Sequence, residues 1–154
     1  MRTKAILNFA AGMILLFGIA HTAGYPWIGP VTQAQRDVLS DAFKSSVTVM
    51  QGFARSYEDT HIGFGFFISL CFATQAFVVW RLARRVKESP ELVRLLCVAF
   101  GVQYGVSVWI EAKYLFWGPI VFSLLIAAAF IASALQLRTG KRASFVPGGS
   151  QTPG

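Results

Sequence analysis

Four long apolar runs dominate the chain, at about residues 5–22, 61–80, 92–110 and 115–137. At about 1.5 Å of rise per residue, each is long enough to cross roughly 30 Å of hydrocarbon. None carries Lys, Asp or Glu inside, and the only Arg is Arg94, at the start of the third. A long Arg side chain there can snorkel to the headgroups. The bilayer core offers no water to backbone polar groups, so each run is predicted to be a helix.

A different period appears between the first two runs, in an outer loop over residues 24–60. Its first part, YPWIGPVT, has two prolines and a glycine and reads as irregular. After it, Leu39, Ala42, Phe43, Val47 and Met50 share one helical face, and Arg36, Asp37, Ser40, Asp41, Lys44 and Ser45 share the other. This predicts an amphipathic helix, with Thr32 or Thr48 as a cap, that continues through Arg55 into the second run. It is read as a connector in preference to a lid.

Composition agrees with a membrane protein. The chain is 55% hydrophobic and only 14% charged, whereas soluble domains carry about a quarter charged residues. The net charge of +7 does not indicate nucleic acid, because the basic residues border apolar runs instead of forming a patch with interleaved aromatics. They do set an orientation. Ten of the 14 Lys and Arg fall on one side of the four runs: Arg2, Lys4, Arg81, Arg84, Arg85, Lys87, Arg94, Arg138, Lys141 and Arg142. That side is expected to be cytoplasmic, with both termini on it. Tyr25, Trp27, Tyr57, Trp109, Tyr114 and Trp117 mark the outer interface, and Trp80 the inner one.

Smaller features fit the same plan. Cys71 and Cys97 lie within apolar runs and read as packing residues. Ser89-Pro90-Glu91 reads as the start of the third helix. Gly and Ala recur on faces of all four runs, as expected where helices pack closely or meet a partner. Residues 1–137 form one transmembrane domain on this reading, and 138–154, rich in Gly, Pro and Ser, a flexible tail. Cleavage of the first run as a signal peptide is the competing expectation for the N-terminus.

The candidate chemistry sits at the outer ends of the runs. The topology places His21, Arg55, Glu58, Asp59, His61 and Glu111 in one layer. Cys97, Tyr104 and Glu111 recur every seven residues, with Gly101 and Ser107 on nearly the same face, as a polar and small-residue stripe. Two histidines with carboxylates suit a divalent metal, and the ligand set would be His21, His61, Glu58 and Glu111. The same groups suit proton transfer. The plainer expectation is polar capping where helices meet water and headgroups. There is no HExxH motif, phosphate loop or nucleophile elbow, and no line of charges through the spans. The sequence identifies no cofactor.

The stretches FGIAHTAG, QGFARSYEDTHIGFGFFIS and GPIVF resemble a family of small four-span bacterial inner-membrane proteins of uncharacterised function. The overall plan also resembles the DoxX-like four-span proteins. The resemblance covers most of residues 5–137 and implies fold and bacterial inner membrane; it implies no activity and no catalytic residue. The expected fold is an all-α integral membrane four-helix bundle with an outer amphipathic helical segment. The expected role is an accessory or interaction protein in the lipid bilayer, with a homo-oligomer or membrane-protein partner. The alternative is a small membrane enzyme or metal- or ligand-binding protein using the outer His and carboxylate layer.

Overall fold

The computed structural model describes residues 2–24, 32–50 and 52–143. The segment expected to be irregular, 25–31 with Tyr25 and Trp27, and the tail from 144 lie outside them. The order is α1 (Arg2–Gly24), α2 (Gln33–Ser45), β1 (Val47–Met50), β2 (Phe53–Ser56), α3 (Tyr57–Arg84), α4 (Pro90–Tyr114) and α5 (Trp117–Ala143). The described residues are all-α apart from one short hairpin. Among them four helices, α1, α3, α4 and α5 as far as Arg138, are long and apolar enough to cross a membrane. At most 33% of each apolar window is buried within the protein. The outward remainder, such as Phe64, Phe67, Leu70, Val102 and Leu124, is what lipid tails solvate.

Two expectations are corrected. The amphipathic helix does not run through Arg55 into the second span: α2 stops at Ser45, and Val47 and Met50 belong to β1. The run Val47-Thr48-Val49 is β-branched and prefers extended backbone. Gly52, at φ 85°, supplies the left-handed residue of a two-residue turn, with Met50 paired to Phe53. At the other end of the chain, α5 continues past Leu137 to Ala143.

The contacts divide the chain into two units, Ile14–Gln75 and Met1–Met13 with Ala76–Gly154. In the second of these, α4 and α5 form an antiparallel hairpin across Leu115 and Phe116, and Leu115 N–H closes α4 on Glu111 O at 2.8 Å. Val93 and Cys97 of α4, Ile126 and Phe130 of α5, Leu7 and Ala10 of α1, and Val79 of α3 are fully buried. Thr3 Oγ1 donates to Gln136 Oε1 at 2.9 Å, joining the start of α1 to α5. Pro90 opens α4 at its first turn as expected, but Ser89 makes no side-chain capping bond.

In the unit Ile14–Gln75, the last turns of α1 pack on the first half of α3. A Cβ on Gly18 would lie 2.8 Å from Phe72 Cβ, so only glycine permits this approach. Phe17 packs on Phe72 at 4.6 Å between ring centroids. The hairpin and α2 gather beside the start of α3: Tyr57 N–H bonds to Ser46 O at 2.9 Å, and the Phe43 ring meets Tyr57 at 4.7 Å.

Candidate functional site

His21 stands in the last turn of α1, half-buried. Its ring N–H bonds to the backbone carbonyl of Gly65 on α3, and its edge lies 6.0 Å from the Phe72 ring. One residue on, Thr22 Oγ1 contacts Ser69 Oγ at 2.8 Å and Gly18 O at 2.7 Å. Ser69 Oγ donates to Gly65 O at 3.0 Å. Gly65 O therefore receives two polar side chains, one from each helix. His21, Thr22 and Ser69 form a polar clasp between α1 and α3, directly above the close approach at Gly18. Hydrogen bonds of this kind hold helices together in lipid, where the hydrophobic effect does not.

The start of α3 uses its polar residues differently. Ser56 Oγ accepts from Asp59 N–H at 3.0 Å, and the Asp59 carboxylate accepts from Ser56 N–H at 3.0 Å and from Ser56 Oγ at 2.8 Å. This is a reciprocal capping box, and Thr60 Oγ1 adds a bond to Ser56 O at 3.1 Å. Arg55 Nη1 donates to Ala54 O at 2.9 Å, with its guanidinium 5.7 Å from the Phe53 ring. Glu58 is half-buried in the first turn. The His61 ring stacks on Tyr57 at 6.2 Å, continuing the row that begins at Phe43.

Glu111 belongs to the other unit. The stripe on α4 is buried there: Cys97 is 0% exposed, Tyr104 2% and Glu111 7%. Ser123 Oγ of α5 donates to Glu111 Oε1 at 2.8 Å, and the buried Oε2 has no hydrogen-bond partner. Tyr104 stacks on Phe130, which stacks on Phe100 at 5.2 Å. Arg55, Glu58, Asp59, His61 and His21 thus fall in one unit, and Tyr104 and Glu111 in the other.

Among the described residues, no three His, Cys, Asp or Glu side chains come together to hold a metal ion. No family model matches the chain, and no curated protein and no solved structure matches it either.

Ser56 and Ser123 were not among the residues singled out from the sequence. The first had a signal: Ser56-Tyr57-Glu58-Asp59 has the S-x-x-acid spacing of a capping box. The second had one too. Glu111 and Ser123 are equidistant in sequence from Trp117, and so are Tyr104 and Phe130. Once a tight turn between the third and fourth runs is assumed, mirror positions about it face each other.

Proposed function

We propose that this chain is a multi-pass protein of the bacterial inner membrane, with the basic segment 81–94 around the α3–α4 connection on the cytoplasmic side, that works as an accessory or interaction protein. The observation that supports it is the use to which the outer polar residues are put. His21 reaches Gly65 O, Thr22 reaches Ser69, and Asp59 closes a capping box with Ser56. These are contacts that fix helices to one another and fix a helix start. Partners would meet the chain through its lipid-facing sides, where Gly12, Gly63 and Gly105 have open space at the Cβ position. The orientation rests on the excess of Lys and Arg around the connection between α3 and α4 and near the chain ends.

The test is metal content and visible absorbance of the full chain purified in mild detergent, beside a His21→Ala, His61→Ala variant. The expected result is neither metal nor chromophore at stoichiometric level in the wild type. A near-equimolar metal or chromophore that disappears in the variant would overturn the reading. Orientation is read separately, by labelling of single cysteines placed at Lys87 and at Ser45 in intact cells.

A second reading is favoured by one observation: the Glu111 carboxyl, buried with Oε2 lacking a hydrogen bond beside Ser123 and Tyr104. Buried carboxyls of this kind are functional groups more often than scaffolding in membrane helices. On that reading the chain is a ligand-binding protein or small membrane enzyme with Glu111 at its centre. A Glu111→Gln variant that stays folded separates the two, since a purely structural carboxyl tolerates it in any functional assay.

A further inference from the structure

We propose that the cavity between the first turn of α4 and the end of α5 binds the phosphodiester headgroup of a membrane lipid carrying one net negative charge. The cavity measures about 210 Å³ and is lined by Pro90, Glu91, Arg94, Leu137 and Arg138. All five residues belong to one unit. Typical small-molecule sites occupy roughly 300–1,000 Å³, so this one has room for a headgroup and not for a larger ligand. Its depth suits a lipid as well. The apolar run of α4 begins at Leu92 and that of α5 ends at Leu137, which sets the cavity at the level where headgroups lie. Leu92, Leu95 and Leu135, in the adjoining turns toward the hydrocarbon, are exposed and available to acyl chains.

The charges select the ligand. Arg94 and Arg138 bring two guanidinium groups from two helices, and Glu91 brings one carboxylate, so the lining carries one net positive charge. Guanidinium forks match phosphate oxygens two at a time, which an ammonium does not. The lack of a side-chain cap from Ser89 leaves the positive end of the α4 dipole without an oxygen from that residue. Neighbouring arginines are committed elsewhere: Arg84 lies over the Trp80 ring at 3.8 Å, and Arg85 pairs with Glu88. A headgroup with a single net negative charge neutralises the lining, whereas a zwitterionic one leaves the positive charge in place. Basic pockets between membrane helices are known to take lipid headgroups in this way.

The inference rests on the chain spanning a bilayer, and on nothing proposed for the histidine layer. Its readout is lipid retention, so a metal or chromophore found at the histidines would leave it intact. The experiment uses the full chain reconstituted in nanodiscs of phosphatidylcholine, with phosphatidylglycerol or phosphatidylethanolamine added at equal fraction. Bound lipid is counted by native mass spectrometry after release into mild detergent. One retained phosphatidylglycerol per chain is expected, at least about tenfold preferred over phosphatidylethanolamine, and Arg94→Gln with Arg138→Gln is expected to lose it. A control variant, Arg81→Gln with Lys87→Gln, removes the same charge from the same loop region and is expected to keep it.

Three results would overturn the proposal. Equal retention of the two lipids would mean that charge does not select. Equal loss in the control variant would reduce the effect to general surface attraction. Displacement of the lipid by millimolar inorganic phosphate would make the cavity an anion site with no use for the lipid. Should the double variant fail to fold, the lipid preference and the phosphate competition on the wild type still decide the matter.

Discussion

Replacing Gly18 by alanine is the most direct test of how α1 and α3 hold together. The added methyl would lie 2.8 Å from Phe72 Cβ. That atom is fixed to the α3 backbone, so rotation of the Phe72 side chain cannot relieve the contact. Relief requires the two helices to separate by roughly 0.8 Å locally, to reach the ~3.5–4.0 Å of ordinary carbon contacts. The Thr22–Ser69 bond, now 2.8 Å, lies one turn away and would stretch past hydrogen-bonding range under the same movement. Overpacking costs about 1–3 kcal/mol, and an interhelical hydrogen bond in a membrane contributes about 0.6 kcal/mol on average. The expected loss is therefore about 2 kcal/mol.

Gly12 provides the reference on the same helix, because a Cβ there meets nothing within 4 Å. Gly12→Ala should be neutral or stabilising by up to about 1 kcal/mol, through the lower backbone entropy of alanine. The assay is unfolding of the full chain in mild detergent by added SDS, followed by far-ultraviolet circular dichroism. Phe72→Gly in the Gly18→Ala background, which removes the opposing Cβ itself, should recover part of the steric loss, giving a coupling of the kind seen between touching residues. Equal stability of the Gly18→Ala and Gly12→Ala variants would refute the close approach and the clasp built above it.

Four further substitutions probe the rest of the structure. Ser56→Ala removes the N-cap of α3 and should cost about 1 kcal/mol, visible as faster hydrogen exchange at the amides of Glu58, Asp59 and Thr60. Gly52→Val forces a branched residue to φ 85° and should cost at least ~1–2 kcal/mol, read as rapid proteolysis between Met50 and Phe53 while the helices persist. Ser123→Ala strips Glu111 Oε1 of its donor and should destabilise by about 1–3 kcal/mol, whereas Glu111→Gln, which keeps an acceptor for Ser123, should cost less in the same SDS titration.

The spans were legible because hydrocarbon imposes a crude rule: a long apolar run must close its own backbone bonds as a helix. The stripe of Cys97, Tyr104 and Glu111 was legible for the related reason that polar and small residues turn inward when lipid surrounds a helix. The hairpin at Val47–Ser56 was not, although Val47-Thr48-Val49 and Gly52 were in plain view. A 3.6-residue period fits Leu39, Ala42, Phe43, Val47 and Met50 as well, and it masks the β-branched run. Local backbone preference and the turn at Gly52 decided the matter instead.

The histidines teach the same lesson at the level of chemistry. Topology alone could place His21, His61, Glu58 and Glu111 at one depth, but depth does not fix which backbone group a side chain reaches first. His21 is four residues from Phe17 and three from Gly18, both of which meet Phe72. Because glycine at 18 lets the backbones close, the His21 ring is brought within reach of Gly65 O before any carboxylate is needed. Gly65, Ser69 and Phe72 follow at helical spacing along α3, so carbonyl, hydroxyl and ring face α1 in turn. The histidine at the end of the first apolar run is thereby explained by the residue three positions before it: a small residue that draws two helices together, and a polar one that fastens them where the hydrocarbon ends.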